Sequence, residues 1–91
     1  MALADTESAL LQRAQQALSG RPGAALALAN EHLARYPGGM FAQEREVIAV
    51  SALVAMGRAG EARTRAAAFV AAYPRSAHRP RVEALAPSND K

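Results

Sequence analysis

Shifted by 37 residues, the chain lies on itself. Gly20 falls on Gly57, Arg21 on Arg58, Gly23 on Gly60, Ala25 on Ala62, Ala29 on Ala66, Tyr36 on Tyr73 and Pro37 on Pro74. Alanine coincidences mean little in a chain with 24 alanines, but composition does not supply the paired glycines, tyrosines and prolines. A fixed period of roughly 20–50 residues marks stacked supersecondary units, none of which can bury its apolar face alone. The 91 residues hold about two such units and a short closing element.

Local spacing predicts that the units are helical. Alanine is the strongest helix former and lets helices approach closely, while strand-type alternation is absent. A first helix is expected from Thr6 to Leu18, capped by Thr6 or Asp5, with an apolar stripe of Leu10, Leu11, Ala14, Ala17 and Leu18. A second runs from Pro22 to Tyr36, with Ala25, Leu28, Ala29, Leu33 and Tyr36 on one side. A third runs from Met40 to Met56, apolar nearly all round after Glu46 and therefore buried on most sides. Its charges Glu44, Arg45 and Glu46 confine exposure to the first turns. A fourth runs from Gly60 to Tyr73, with Ala62, Ala66, Phe69, Val70 and Tyr73 inward. A shorter fifth follows Ser76 and carries Val82 and Leu85. The expected organisation is one all-α domain over 5–86: repeat one over 6–37, repeat two over 40–74 and a capping helix over 77–86, with a disordered tail at 87–91.

Each repeated residue has a mechanical use. Gly20 and Gly57 end the first helix of each pair, where a left-handed residue is expected. Ala25 and Ala62 sit where the helices of a pair cross, and Tyr36 and Tyr73 cover the bottom of the pair. Pro37 and Pro74 stop the second helix, because the residue before proline is driven out of the helical region. A helix, a glycine turn, a small residue early in the next helix and a proline about twelve residues later resemble the tetratricopeptide repeat, over residues 7–86. The ending Phe69-Val70-Ala71-Ala72-Tyr73-Pro74-Arg75-Ser76 is similar to repeats of bacterial outer-membrane assembly lipoproteins. The resemblance implies an α–α superhelix that binds a peptide or helix of a partner protein, in a bacterial, envelope-facing setting.

Chemistry is sparse. Without cysteine there is neither a disulfide nor a thiolate metal site, and no cofactor motif or metal-ligand spacing is present. His32 reads as a partly buried helix histidine and His78 as a residue of a basic, Pro-rich segment, so no catalytic residue is assigned and the chain reads as a non-enzyme. Gly57-Arg58-Ala59-Gly60-Glu61 lacks the Lys-Ser/Thr of a phosphate loop. The net charge of +3 comes from the second half, where Arg58, Arg63, Arg65, Arg75, Arg79 and Arg81 cluster without interleaved aromatics. That pattern favours a solvated face over an acidic protein patch, and either over nucleic acid or anionic lipid. No segment has the roughly 18 apolar residues of a membrane span, and Met1-Ala2-Leu3-Ala4-Asp5 has no signal-peptide character.

In tetratricopeptide stacks the first helices line a concave face, so the resemblance assigns partner binding to Glu7, Leu10, Ala14 and Ala17 on the first helix and Glu44, Val47, Ser51 and Val54 on the third. An apolar face of this kind must be covered by a partner segment, a neighbouring domain or another copy. Two repeats also fall short of the three or so that such stacks need, which makes a homodimer through the same face the second reading.

Overall fold

The computed structural model describes residues 6–87. The expected C-terminal tail from residue 88 onward and the Met1–Asp5 segment lie outside them. Five helices follow in order: α1 (Glu7–Ala17), α2 (Pro22–Arg35), α3 (Ala42–Ala55), α4 (Ala59–Ala72) and α5 (Arg79–Leu85). Among the described residues there is no strand.

Consecutive helices pack as pairs: α1 with α2, α2 with α3, and α3 with α4. α1 touches α3, and α5 packs on both α3 and α4, whereas α2 and α4 do not pack on each other. Two rows result, α1–α3–α5 and α2–α4. The core lies between them and is built largely from alanine: Ala14, Ala25, Ala29, Ala49, Ala52 and Ala62 are fully enclosed, with Leu10, Val50 and Val82 among the larger side chains. Ala25 and Ala62 are both fully buried in that core, as expected of their repeat positions. α3 is the central helix and buries Ala42, Arg45, Ile48, Ala49, Val50, Ala52 and Leu53. Leu33, expected inward on α2, remains 41% exposed.

The termini follow local chemistry. Thr6 caps α1, its hydroxyl accepting from the Ala9 amide at 3.1 Å. Pro22 opens α2 in its first turn. At the end of α3 the Gly57 amide donates to Val54 at 3.0 Å and the Arg58 amide to Leu53 at 2.9 Å, with Gly57 at φ +76°. This pair of bonds around a left-handed glycine is a Schellman motif. The same geometry was expected at Gly20 and is not found: Gly57 is the only described residue with positive φ. α1 instead leaves through a right-handed turn, in which Leu18 bonds back to Gln15 and Arg21 to Ala17.

The two glycines should therefore respond oppositely to alanine. Gly57→Ala forces a side chain into the left-handed region and should cost about 1 kcal/mol or more. Gly20→Ala meets nothing within 4 Å and should be neutral or stabilising by roughly 0.4–1 kcal/mol, both read by urea unfolding.

Candidate functional site

The polar side chains converge on one place, the interior of the first repeat. Glu7 opens α1, but its carboxylate turns inward to the start of α3, where Oε2 accepts from the Phe41 amide at 3.0 Å. α3 has no side-chain cap of its own, so α1 supplies the acceptor for one of its orphan amides. The same oxygen lies 3.0 Å from His32 Nε2. His32 is fully buried in α2, and Arg45 NH1 from α3 approaches its Nδ1 at 3.3 Å. A guanidinium cannot accept a hydrogen bond, so Nδ1 is the acceptor and the ring proton sits on Nε2, facing Glu7.

The chain of contacts continues outward. Arg45 is only 5% exposed; its Nε donates to Glu46 at 2.7 Å and its NH1 reaches the Tyr36 carbonyl at 3.5 Å. Arg65 of α4 donates to both Glu46 oxygens, at 2.7 and 3.1 Å, and to Asn30 Oδ1 of α2 at 2.9 Å. Glu7, His32, Arg45, Glu46, Arg65 and Asn30 thus link α1, α2, α3 and α4. Arg45 corrects the expectation that the charges of α3 confine themselves to an exposed turn, and His32 is more deeply buried than its sequence context implied.

Both carboxylates are held below the ordinary glutamate value of 4.5. For Glu7 the Phe41 amide is the main cause, with partial burial opposing it and His32 adding to it. For Glu46 burial acts against the charge, but hydrogen bonds and attraction from Arg65 and Arg45 outweigh it.

The 37-residue register explains why only the first repeat is polar inside. Phe69 stands in the place of His32, Val82 in that of Arg45, and both are buried among apolar neighbours. Tyr73 stacks on Phe69 at 5.2 Å as Tyr36 does on His32 at 5.5 Å. Glu44 repeats Glu7, yet it stays half-exposed, 3.4 Å from the His78 ring. Gly39 and Ser76 decide between these outcomes. A side chain at Gly39 would overlap the Glu7 carboxylate, so glycine is what leaves it room. Ser76, at the equivalent position, fills that room and itself accepts from the His78 amide at 2.9 Å.

The eight residues expected to line a partner-binding face divide sharply. Leu10, Ala14 and Ala17 are buried in the core, and Glu7 is committed to Phe41 and His32. The α1 half of that face is therefore corrected: its apolar side chains are enclosed, with α2 the main neighbour of α1 and α3 a lesser one. On α3, Glu44 and Val54 are exposed, Val47 and Ser51 half-buried, and the Ser51 hydroxyl is enclosed without a hydrogen-bond partner. The arginine cluster is likewise divided. Arg58 bonds Glu61, Arg65 bonds Glu46, and Arg79 bonds Glu83 and the Pro74 carbonyl, leaving Arg63, Arg75 and Arg81 without a partner among the described residues. No group of three metal-ligating side chains and no helix long and apolar enough to cross a membrane occurs among those residues.

No family model matches the chain, and neither a curated protein nor a solved structure does.

Two predictions follow from the buried chain. A carboxylate whose folded pKa lies below its unfolded one stabilises the fold above the unfolded value and loses that contribution as pH falls through the folded one. Thermal stability should accordingly drop as pH falls below about 4.5, and Glu7→Gln should flatten that slope. Replacing His32 by phenylalanine strands part of the Arg45 guanidinium and should cost about 1–3 kcal/mol. His32→Phe with Arg45→Val installs the second repeat's own pair and should be less harmful than the single changes sum to, by about 0.5–3 kcal/mol in a double-mutant cycle.

Proposed function

We propose that this chain is a non-catalytic protein-interaction module of the tetratricopeptide kind, which holds a peptide or helix of a partner along α3. The observation that carries the reading is the outer stripe of that central helix. α5 spans 7 residues against 14 in α3, so it is too short to run alongside the whole of α3. Val54 is left 40% exposed, with Ser51 and Val47 half-buried and Glu44 exposed near the helix start, 3.4 Å from the His78 ring. An apolar strip with a charged end suits the apolar face of an amphipathic helix. The non-catalytic reading is supported by His32, whose ring nitrogens are enclosed and occupied by structural partners. The Tyr73-Pro74-Arg75-Ser76 ending extends the proposal to a bacterial, envelope-associated setting.

The test is to select helical peptides from a displayed random library on the immobilised protein and titrate the winners by calorimetry. Val54→Arg should weaken binding by about tenfold or more, equivalent to about 1.4 kcal/mol, with helicity unchanged. Undiminished affinity would remove α3 from the interface. Val54 is the position to change, because Val47 packs against the core and an arginine there would disturb the fold.

A further inference from the structure

A second open surface lies at the other end of the stack, and the repeat register says what belongs there. In the first repeat, Leu26 and Asn30 of α2 face a groove whose far wall is α4, through Thr64, Arg65 and Ala68, and Glu46 of α3 bonds that Arg65. Arg65 closes it by bonding both Asn30 and Glu46. Moved on by 37 residues, the same surface consists of Arg63 and Ala67 of α4 and Glu83 of α5. With Val70, Ala71 and Ala86 these residues line a groove of about 540 Å³. No helix among the described residues lies across it. The missing wall has the character of the second helix of a pair, rich in alanine and carrying an arginine to meet the carboxylate. α4 is itself such a helix.

The ends of the stack differ in chemistry. Among the described residues, the free face of α1 exposes Ser8, Gln12, Gln15 and Gln16 and offers no apolar counterpart to the groove. Head-to-tail stacking of copies therefore lacks a complementary surface, whereas a two-fold arrangement needs only a surface that complements itself. The groove meets that condition. Arg63 has no partner within the described chain, and Glu83 has a single exposed pairing with Arg79. Across a two-fold axis each Arg63 faces the Glu83 of the other copy, and the small residues Ala67 and Ala71 admit close approach of the two α4 helices.

We propose that the chain forms a two-fold dimer in which the α4–α5 grooves of two copies close on each other. This surface contains no residue of the α3 stripe, so the dimer and the partner-binding reading stand or fall separately.

Sedimentation equilibrium of the full chain from about 1 µM to about 1 mM tests it. A monomer–dimer equilibrium is expected. Ala67→Arg, at an exposed position, should weaken it at least tenfold with an unchanged helical circular-dichroism spectrum. Arg63→Glu and Glu83→Arg should each weaken the dimer, and the double variant Arg63→Glu/Glu83→Arg should recover it, because a two-fold axis restores both pairs at once. A wild-type monomer at every concentration would overturn the proposal. So would a dimer indifferent to Ala67→Arg, a mass that keeps growing with concentration, or a double charge swap that fails to recover association. Val54→Arg should leave the dimer intact; its loss in that variant would place the interface on α3 instead.

Discussion

The Glu7 carboxylate is the constraint on which the first repeat depends. It satisfies an amide at the start of α3, orients a fully buried imidazole on α2, and through that ring fixes the direction of a buried guanidinium on α3. None of these groups would be tolerable alone. An unpaired buried charge or ring nitrogen costs more than any packing gain it brings, whereas a network in which every member has a partner can persist in a low-dielectric interior. Gly39 is part of the same arrangement, since its missing side chain is the space the carboxylate occupies. The second repeat lacks that space, carries a serine whose hydroxyl accepts locally from the His78 amide, and builds an apolar interior from Phe69 and Val82. Three register positions, Gly39/Ser76, His32/Phe69 and Arg45/Val82, thus separate a polar version of the unit from an apolar one.

A polar interior is seldom the most stable option, because apolar residues of similar volume pack without paying for desolvation. Its value in this fold lies in register. The faces that meet between α1, α2 and α3 are dominated by alanine, which permits close approach but gives few knobs to fix how far one helix slides along another. Hydrogen bonds are directional, and a chain of them from Glu7 to Asn30 accepts one arrangement of four helices. Retention of ionic groups for specificity has been a useful account of helical interfaces elsewhere. Alanine-rich packing is the circumstance in which it has most to contribute.

Much of the fold was legible because local signals agreed with each other. The helix boundaries follow from Thr6, Pro22, Gly57, Pro37 and Pro74, and the self-match singled out Ala25 and Ala62, both fully buried. What escaped the sequence was relational. Gly20 and Gly57 share a repeat position, but only one helix ends where a left-handed residue is needed. His32 was readable as a core position from Phe69 37 residues later, a signal that the register contained and residue type obscured. Leu10, Ala14 and Ala17 were assigned to an open face together with Val47, Ser51 and Val54 by the tetratricopeptide resemblance, and the two sets share a pattern but not a neighbour. Exposure of a helix face depends on the length of the helix beside it, and periodicity does not encode that.

That length traces to a single residue. In the repeat register Pro87 stands where α3 has Val50, a fully buried side chain in the middle of a continuous helix. Proline lacks the amide that the helix would need and pushes the preceding residue out of helical geometry. Ala86 responds with φ −139° and ψ 75°, and α5 stops at Leu85. Had α5 run the full length of α3, it would have lain along the stretch of α3 that carries Ser51 and Val54. The open stripe that the proposed function uses is therefore a consequence of early termination and not of the composition of α3, whose residues would suit a buried helix equally well. The α4–α5 groove has a different origin, since the helix that would close it belongs to a following pair. The α3 stripe and the α4–α5 groove are therefore two separate surfaces with separate causes.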